Sequence, residues 1–376
     1  MAEIGEIQVS AYDVPTESQP ESDDTAIWSK TTLVVVEVQA GAWRGLGYTY
    51  ADAGAARLLR DVVTPAVRGL HPFDTRRIYE AACASVRNHG RSGAGAMAIS
   101  ALDVAAWDLK AKMLGVPVAK LLGTVRSEVP AYGSGGFTSY PESRLADQLS
   151  RWADEGFRFV KMKVGREPDR DLQRVRTARK AIGRGRALFV DANGAYSRKQ
   201  ALRFARDFAE EGVSWFEEPV VKTDLQGLRL VRDAAPMEVT GGEYAWEPHD
   251  FRELLPVLDV VQADVTRCGG FTGFLDAHAL VRAHELPMST HCAPALHVAL
   301  GCALPGVRHL EWFFDYDRAP WSREPRWTSA PWNASCDSAR PVKCDSTPEA
   351  ARCMPPTLRT TGRCPSASCC RARRGT

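Results

Sequence analysis

Apolar residues recur along this chain with two different rhythms, and the rhythm changes near residue 129. Before that point, Ile4, Ile7 and Val9 begin one strand-like stretch over residues 4–13, and Leu33, Val34, Val35 and Val36 sit in a second over residues 30–40. The residues between them, 15–25, are polar and acidic, with Glu17, Glu21, Asp23 and Asp24, and predict a long hairpin loop. Helical spacing follows over residues 51–68, 74–88 and 95–113. The last of these carries Ala101, Val104, Ala105, Trp107 and Leu109 and is closed by Gly115 and Pro117. From Val129 onward, strands are expected near 129–133, 158–164, 187–191, 213–217, 237–242, 259–264, 287–290 and 308–313. Helical stretches such as 142–155, 169–182 and 198–211 lie between them. Eight strands alternating with helices predict an α/β fold, a (β/α)8-type (modified TIM) barrel over residues 126–318, preceded by an α+β capping domain over residues 1–125. A doubly wound sheet is the alternative, and no Gly-rich dinucleotide fingerprint supports it.

In such a barrel, chemistry collects at the C-terminal ends of the strands. The second strand places Lys161 and Lys163 on one face, because side chains alternate with period two. Two neighbouring ammonium groups each make the other harder to charge, so one of them is expected to titrate low enough to serve as a base. The third, fourth and fifth strands end in Asp191, Glu217 and Glu243, spaced 26 residues apart each time. That spacing puts three carboxylates on adjacent strands, expected at one height. Three converging anions call for a hard divalent cation, and an all-oxygen set suits Mg²⁺. Asp264 and His291 end the sixth and seventh strands, where a carboxylate would orient the imidazole. The remaining histidines, including His297 and His309, read as structural.

Composition adds limits. With 44% hydrophobic and 25% charged residues the chain reads as a soluble protein of enzyme size. It has no apolar run of membrane-spanning length, and no signal peptide is evident, so the cytoplasm is the expected location. The net charge of +2 hides an asymmetry: residues after 318 carry ten Lys/Arg against four Asp/Glu, and the body is mildly acidic. No nucleic-acid footprint results.

The order Lys-x-Lys, three carboxylates, then Asp and His resembles the enolase superfamily, specifically its mandelate racemase subgroup. The segment Ala101-Leu-Asp-Val-Ala-Ala-Trp-Asp-Leu-Lys110, followed by Leu121-Leu122-Gly123, is similar to the family's lead into the barrel. The resemblance implies that Asp191, Glu217 and Glu243 hold Mg²⁺. It further implies that Lys163 is one acid/base tuned by Lys161, and that His291 with Asp264 is the other. Glu311 would hydrogen-bond the substrate carboxylate, and Asn193 would contact the substrate near a 2-hydroxyl. Asp264 and Glu243 also separate the chain from the muconate-lactonising and dipeptide-epimerase branch, which carries a lysine and tends to carry an aspartate at those places.

The expected substrate is a small carboxylate, with neither nucleic acid nor a membrane as partner, handled by an assembly of identical subunits. The expected reaction is Mg²⁺-dependent loss of an α-proton to give an enediolate. Dehydration of a sugar acid to a 2-keto-3-deoxy acid is the first reading, since the polar 15–25 loop suits a polyol. Racemisation of a 2-hydroxy acid is the second, and an inactive metal-binding product of a damaged gene the third. The last is raised by residues 319–376, which hold eight of the 23 prolines and six of the ten cysteines. That tail lacks a helix or strand period and is expected to be disordered, as a shifted reading frame near residue 319 would produce. Its cysteine spacings contain no C-x₂-C pair to suggest a metal tail.

Overall fold

A computed structural model of the chain describes residues 2–16, 20–23 and 25–313, together with the backbone of Ala334–Ser335 and Val342–Cys344. The rest of the tail, on which the expectation of disorder falls, lies outside the described residues.

The N-terminal unit is an antiparallel sheet backed by helices. Strand β1 (Ile7–Pro15) carries the chain into a small hairpin of β2 (Glu21–Ser22) and β3 (Ile27–Trp28), after which β4 (Lys30–Ala40) pairs with β1 and with β5 (Trp43–Tyr50). Strand β5 was not anticipated. Its sequence WRGLGYTY alternates glycines with larger residues and reads as a turn. The glycines answer instead to the helix Ala94–Leu114, which lies so close that a Cβ on Gly45 or Gly47 would fall 2.1 Å from a helix carbonyl oxygen. That helix buries Ala98, Ala101, Leu102, Ala105 and Leu109 against the sheet, and the left-handed Gly115 (φ 69°) ends it. The expected helix over 51–68 is present in three pieces, Ala53–Leu58, a π-helical turn Leu59–Val63, and Thr64–Val67.

The barrel follows. A short β6 (Glu128–Val129) precedes β7 (Ala131–Gly135), β8 (Phe159–Lys163), β9 (Ala187–Asp191), β10 (Val213–Glu217), β11 (Glu238–Gly241), β12 (Val260–Ala263), β13 (Met288–Thr290) and β14 (Leu310–Phe313). These last eight form one parallel sheet in the order β13-β12-β11-β10-β9-β8-β7-β14. A single bridge, Met288 to Val307, approaches closure between β13 and β14, so the barrel is nearly closed. Helices such as Glu142–Asp154, Pro168–Ile182 and Arg198–Glu210 pack outside, the last started by a Ser197/Gln200 capping box. Inside, Tyr132, Phe189, Trp215 and Val260 fill the barrel, with the Phe189 and Trp215 rings stacked 4.9 Å apart. In the tail, β15 (Ala334–Ser335) and β16 (Val342–Cys344) pair with each other, and β16 pairs with β6.

The two units are joined where the site lies. Asp103 of the long helix accepts from Thr272 N (2.9 Å) and Thr272 Oγ1 (2.6 Å), and Arg76 forms a two-pronged ion pair with Asp276. Thr49, near the end of β5, donates to Thr266 O at 2.7 Å. The β2 segment docks beside the barrel loops that follow β7 and β8. Ser22 Oγ lies 3.0 Å from Thr138 Oγ1 and 2.7 Å from Arg166 Nη1. Among the described residues no helix is long and apolar enough to cross a membrane.

Candidate active site

All nine residues singled out from the sequence come together at the C-terminal end of the barrel. Lys161 and Lys163 lie on β8 in register with Phe189 and Asp191 of β9, and Asp191 is in register with Glu217 of β10. Lys161 is fully buried, with Nζ 2.6 Å from Glu217 Oε1, 2.8 Å from Glu311 Oε1 and 3.5 Å from Asp191 Oδ2. Lys163 Nζ lies 2.5 Å from Asp191 Oδ2. Trp215 Nε1 donates to the other oxygen of Glu217 at 2.9 Å. Asn193 donates its backbone N–H to Asp191 Oδ1 at 2.9 Å, and its own Oδ1 is buried without a partner.

Equal spacing does not put all three carboxylates at one height. Asp191 and Glu217 end their strands in register, but Glu243 lies beyond the end of β11, past a sharp turn at Gly242. Gly242 has φ 121°, and a Cβ there would meet Gln262 O at 2.3 Å, so only glycine makes the turn. The turn returns Glu243 to the others: oxygens of Asp191, Glu217 and Glu243 all lie within 4.8 Å of one another. Glu243 Oε2 is buried and makes no hydrogen bond, with only the His291 imidazole approaching it, at 3.3 Å. An orphaned carboxylate oxygen in a buried all-oxygen trio is what a hard divalent cation fits, since the ion removes both the repulsion and the unmet acceptor.

On the other side of the trio, His291 Nδ1 is 2.8 Å from Asp264 Oδ2, and Asp264 Oδ1 accepts from Thr266 N and Oγ1 at 2.7 Å each. The carboxylate thus fixes the imidazole with Nε2 facing the site, 3.3 Å from Glu243 Oε2. Glu311 Oε2 accepts the Cys292 backbone N–H at 2.8 Å.

The electrostatics differ from expectation in one respect. Burial pulls the Lys163 ammonium toward neutrality and so does Lys161, but the adjacent Asp191 and the other carboxylates outweigh both and hold it charged. The sequence shows the like-charged neighbour but not the acid pressed against the lysine. Burial, with Asp191 close by, pushes the Glu217 carboxyl up to about 8. Burial raises Glu311, yet Lys161 and His291 more than reverse this and hold it ionised. Burial would also keep His291 neutral, and Glu243 with Glu311 and Asp264 raise it above the ordinary histidine range.

The two histidines read as structural have structural partners. His297 Nε2 accepts from Val265 N (2.9 Å) while Nδ1 faces Cys292 O (2.8 Å), tying together the segments after β12 and β13. His309 lies in the aromatic interior, 2.8 Å from Ser289 Oγ. Sequence reasoning missed Arg267, whose Nη1 reaches Glu243 O at 3.2 Å and whose Nε lies 3.5 Å from Asp264 Oδ2. Its position three residues after Asp264 was the available signal. It also missed Cys292, which follows His291.

A nearly closed parallel barrel, capped by an α+β unit and carrying two lysines, a carboxylate trio and a His–Asp pair at its strand ends, defines an acid/base enzyme of the enolase type. Residues 6–123 match the family described as mandelate racemase/muconate lactonizing enzyme, N-terminal domain, and residues 144–331 match the family described as enolase C-terminal domain-like. The chain belongs to the mandelate racemase/muconate lactonizing enzyme group of the enolase superfamily. It is 31% identical over 296 residues to the L-talarate/galactarate dehydratase of Salmonella typhimurium, covering 76% of this chain and 74% of that enzyme. A mandelate racemase/muconate lactonizing enzyme-like protein from Rubrobacter xylanophilus superposes with a TM-score of 0.82 at 48% identity, over 84% of this chain and 89% of that one. A racemase from Streptomyces coelicolor with bound magnesium superposes with a TM-score of 0.79 at 30% identity, over 82% and 88%. The family relatives are dehydratases, cycloisomerases, an epimerase and racemases, and the chain is an enzyme of that acid-sugar dehydratase or racemase kind.

Proposed function

We propose that this enzyme removes the proton α to a substrate carboxylate and dehydrates a sugar acid to a 2-keto-3-deoxy acid. The observation that carries the reading is the placement of two proton-transfer groups on either side of one carboxylate trio. Sheet order sets β8, with Lys163, and β13, which His291 follows, on opposite flanks of β9 to β11.

Asp191, Glu217 and Glu243 would hold Mg²⁺. When bound, the ion supplies positive charge against the negative charge that grows on the carboxylate as the α-proton leaves. The chain's own groups do the rest. Lys163 Nζ gives and takes a proton on one face. Lys163 is held charged by Asp191, and with Mg²⁺ held by the trio Asp191 would hold it less strongly, which would ease its release of a proton. His291, fixed by Asp264, works from the other face through Nε2. As an imidazolium it gives its proton to a departing 3-hydroxyl, so the C3–O bond breaks and water leaves. Lys161 holds Glu217 and Glu311 in place. Glu311 is ionised beside Lys161, and the approach of an anionic substrate would favour its gaining a proton, which it can then donate to the substrate carboxylate. Asn193 Oδ1, buried without a partner, accepts from a substrate hydroxyl.

Polar groups near the mouth support a polyol. Ser22, Thr138 and Arg166 form a hydrogen-bonded set, and Tyr140 donates to Glu21 at 2.5 Å. The similarity to the L-talarate/galactarate dehydratase favours the same class. A second reading, racemisation of a 2-hydroxy acid, is favoured by the same opposed pair, since a proton removed from one face can be returned on the other. The test is to incubate the purified protein and Mg²⁺ with a panel of aldonic and aldaric acids, assaying 2-keto product and, in D₂O, label at C2. Keto product supports dehydration. Label with inversion and no keto product supports racemisation. Neither outcome on any acid would contradict both.

A further inference from the structure

The residue after His291 builds a second constellation, which the carboxylate trio does not use. Cys292 has φ 49° and Ala293 φ 43°, both left-handed in residues other than glycine. That unusual backbone keeps the Cys292 side chain on the same side as its neighbour's imidazole, with Sγ 3.4 Å from His291 Nε2. His291 Nε2 in turn lies 3.9 Å from Glu311 Oε2. All three residues are at least nine-tenths buried, and their donor atoms lie within 4.8 Å of one another. None of the three belongs to the Asp191, Glu217 and Glu243 trio, although the two sets adjoin where His291 Nε2 lies 3.3 Å from Glu243 Oε2.

The two edges that meet at His291 Nε2 are close to those of a tetrahedral ion, and the third is within 4.8 Å. Bonds of about 2.3 Å to sulfur and about 2.0–2.1 Å to nitrogen and oxygen give a sulfur–nitrogen edge of roughly 3.5 Å and a nitrogen–oxygen edge of roughly 3.4 Å. The edges here, 3.4 and 3.9 Å, differ from these by at most about half an ångström. The imidazole is already oriented as a ligand, because Asp264 holds Nδ1 and directs Nε2 toward Cys292 and Glu311, where it can ligate once it has given up its proton. A carboxylate behind a histidine in this way is the usual support of a zinc-bound imidazole.

We propose that His291 Nε2, Cys292 Sγ and Glu311 Oε2 form a site for a thiophilic divalent cation such as Zn²⁺, and that its occupation blocks the active centre. Three protein ligands leave a fourth position open to water. On binding, the Cys292 thiol proton and the His291 Nε2 proton both pass to solvent, so that the sulfur ligates as thiolate and the ring as neutral imidazole. The ion occupies the lone pair of His291 and one oxygen of Glu311, so neither is free for a substrate. A hard ion such as Mg²⁺ does not compete well for a sulfur ligand, so magnesium in the carboxylate trio gives no protection. The site shares His291 and Glu311 with the reaction proposed above, but binding is measured without substrate. Failure of one reading is therefore distinguishable from failure of the other.

The test is a Co²⁺ titration of Mg²⁺-saturated full-length protein, following the near-ultraviolet sulfur-to-cobalt charge-transfer band, with Zn²⁺ as competitor. Wild type, Cys292→Ser and His291→Asn are compared. Cobalt held by thiolates elsewhere, including the six cysteines after residue 330, is common to all three proteins and cancels in the differences. The wild-type-minus-variant spectrum should show a one-equivalent band for both variants, and about one equivalent of Zn²⁺ should abolish it. His291→Asn keeps the thiol, so losing the band there separates a shared site from a lone cysteine. Wild-type-minus-variant spectra without a band, with both variants retaining the wild-type fold by circular dichroism, would overturn the proposal.

Discussion

One added methyl group on β5 should disturb both stability and catalysis. An ideal Cβ on Gly47 lies 2.1 Å from Ala101 O and 2.5 Å from Ala105 N, both backbone atoms of the long helix. Carbon contacts with such atoms normally exceed about 3.3 Å, so strand and helix must separate by roughly 1 Å. Overpacking of a core costs about 1–3 kcal/mol, and backbone atoms inside a helix cannot rotate aside, so Gly47→Ala should fall near the upper end, roughly 3 kcal/mol. The displaced strand carries Thr49, which bonds to Thr266 O, and Thr266 holds Asp264 through two hydrogen bonds. A shift on the order of 1 Å passed to the His291–Asp264 pair could cost roughly 100-fold in rate. Urea unfolding measures the first effect, and the rate of C2-proton exchange the second. Gly185→Ala is the control: nothing lies within 4 Å of its added Cβ, and it should stay within about 0.5 kcal/mol of wild type. A Gly47→Ala protein as stable as the control would refute the close-packing argument.

Acid should weaken the fold through the two structural histidines, whose burial lowers His297 to about 4 and His309 to about 3. Their folded values lie below the unfolded one, so the stability they contribute is complete above about pH 6.5 and is lost as pH falls toward those values. His297 alone accounts for roughly 3 kcal/mol by pH 4. Urea midpoints should drop between pH 7.5 and 5, and less so in His297→Asn; equal slopes in the two proteins would count against it. Replacing Glu217 by Gln removes one oxygen anion from the trio and the 2.6 Å partner of Lys161, and calorimetry should show Mg²⁺ binding weakened by at least about tenfold. Unchanged affinity would place the metal elsewhere.

Much of this was legible in the sequence, because barrel chemistry gathers at strand ends and strand ends can be counted. Asp191, Glu217, Asp264, His291 and Glu311 each fall where alternation of strands and helices put them. What escaped depends on contacts distant in sequence. The β5 strand hides behind glycines whose reason is a helix some 50 residues on. The reach of Glu243 depends on one turn at Gly242. The charge state of Lys163 depends on Asp191, 28 residues away, more than on Lys161 two residues away. Cys292 carries no sequence signal beyond its adjacency to His291, since its left-handed backbone is visible only in three dimensions.

The most direct test of the account follows exchange of the C2 proton in D₂O, with Mg²⁺, using both C2 epimers of whichever acid is turned over. Lys163→Ala should abolish exchange from one epimer and keep it from the other, and His291→Asn should show the reverse. Exchange from both epimers surviving in either variant, at the wild-type rate, would contradict the assignment of one base to each face.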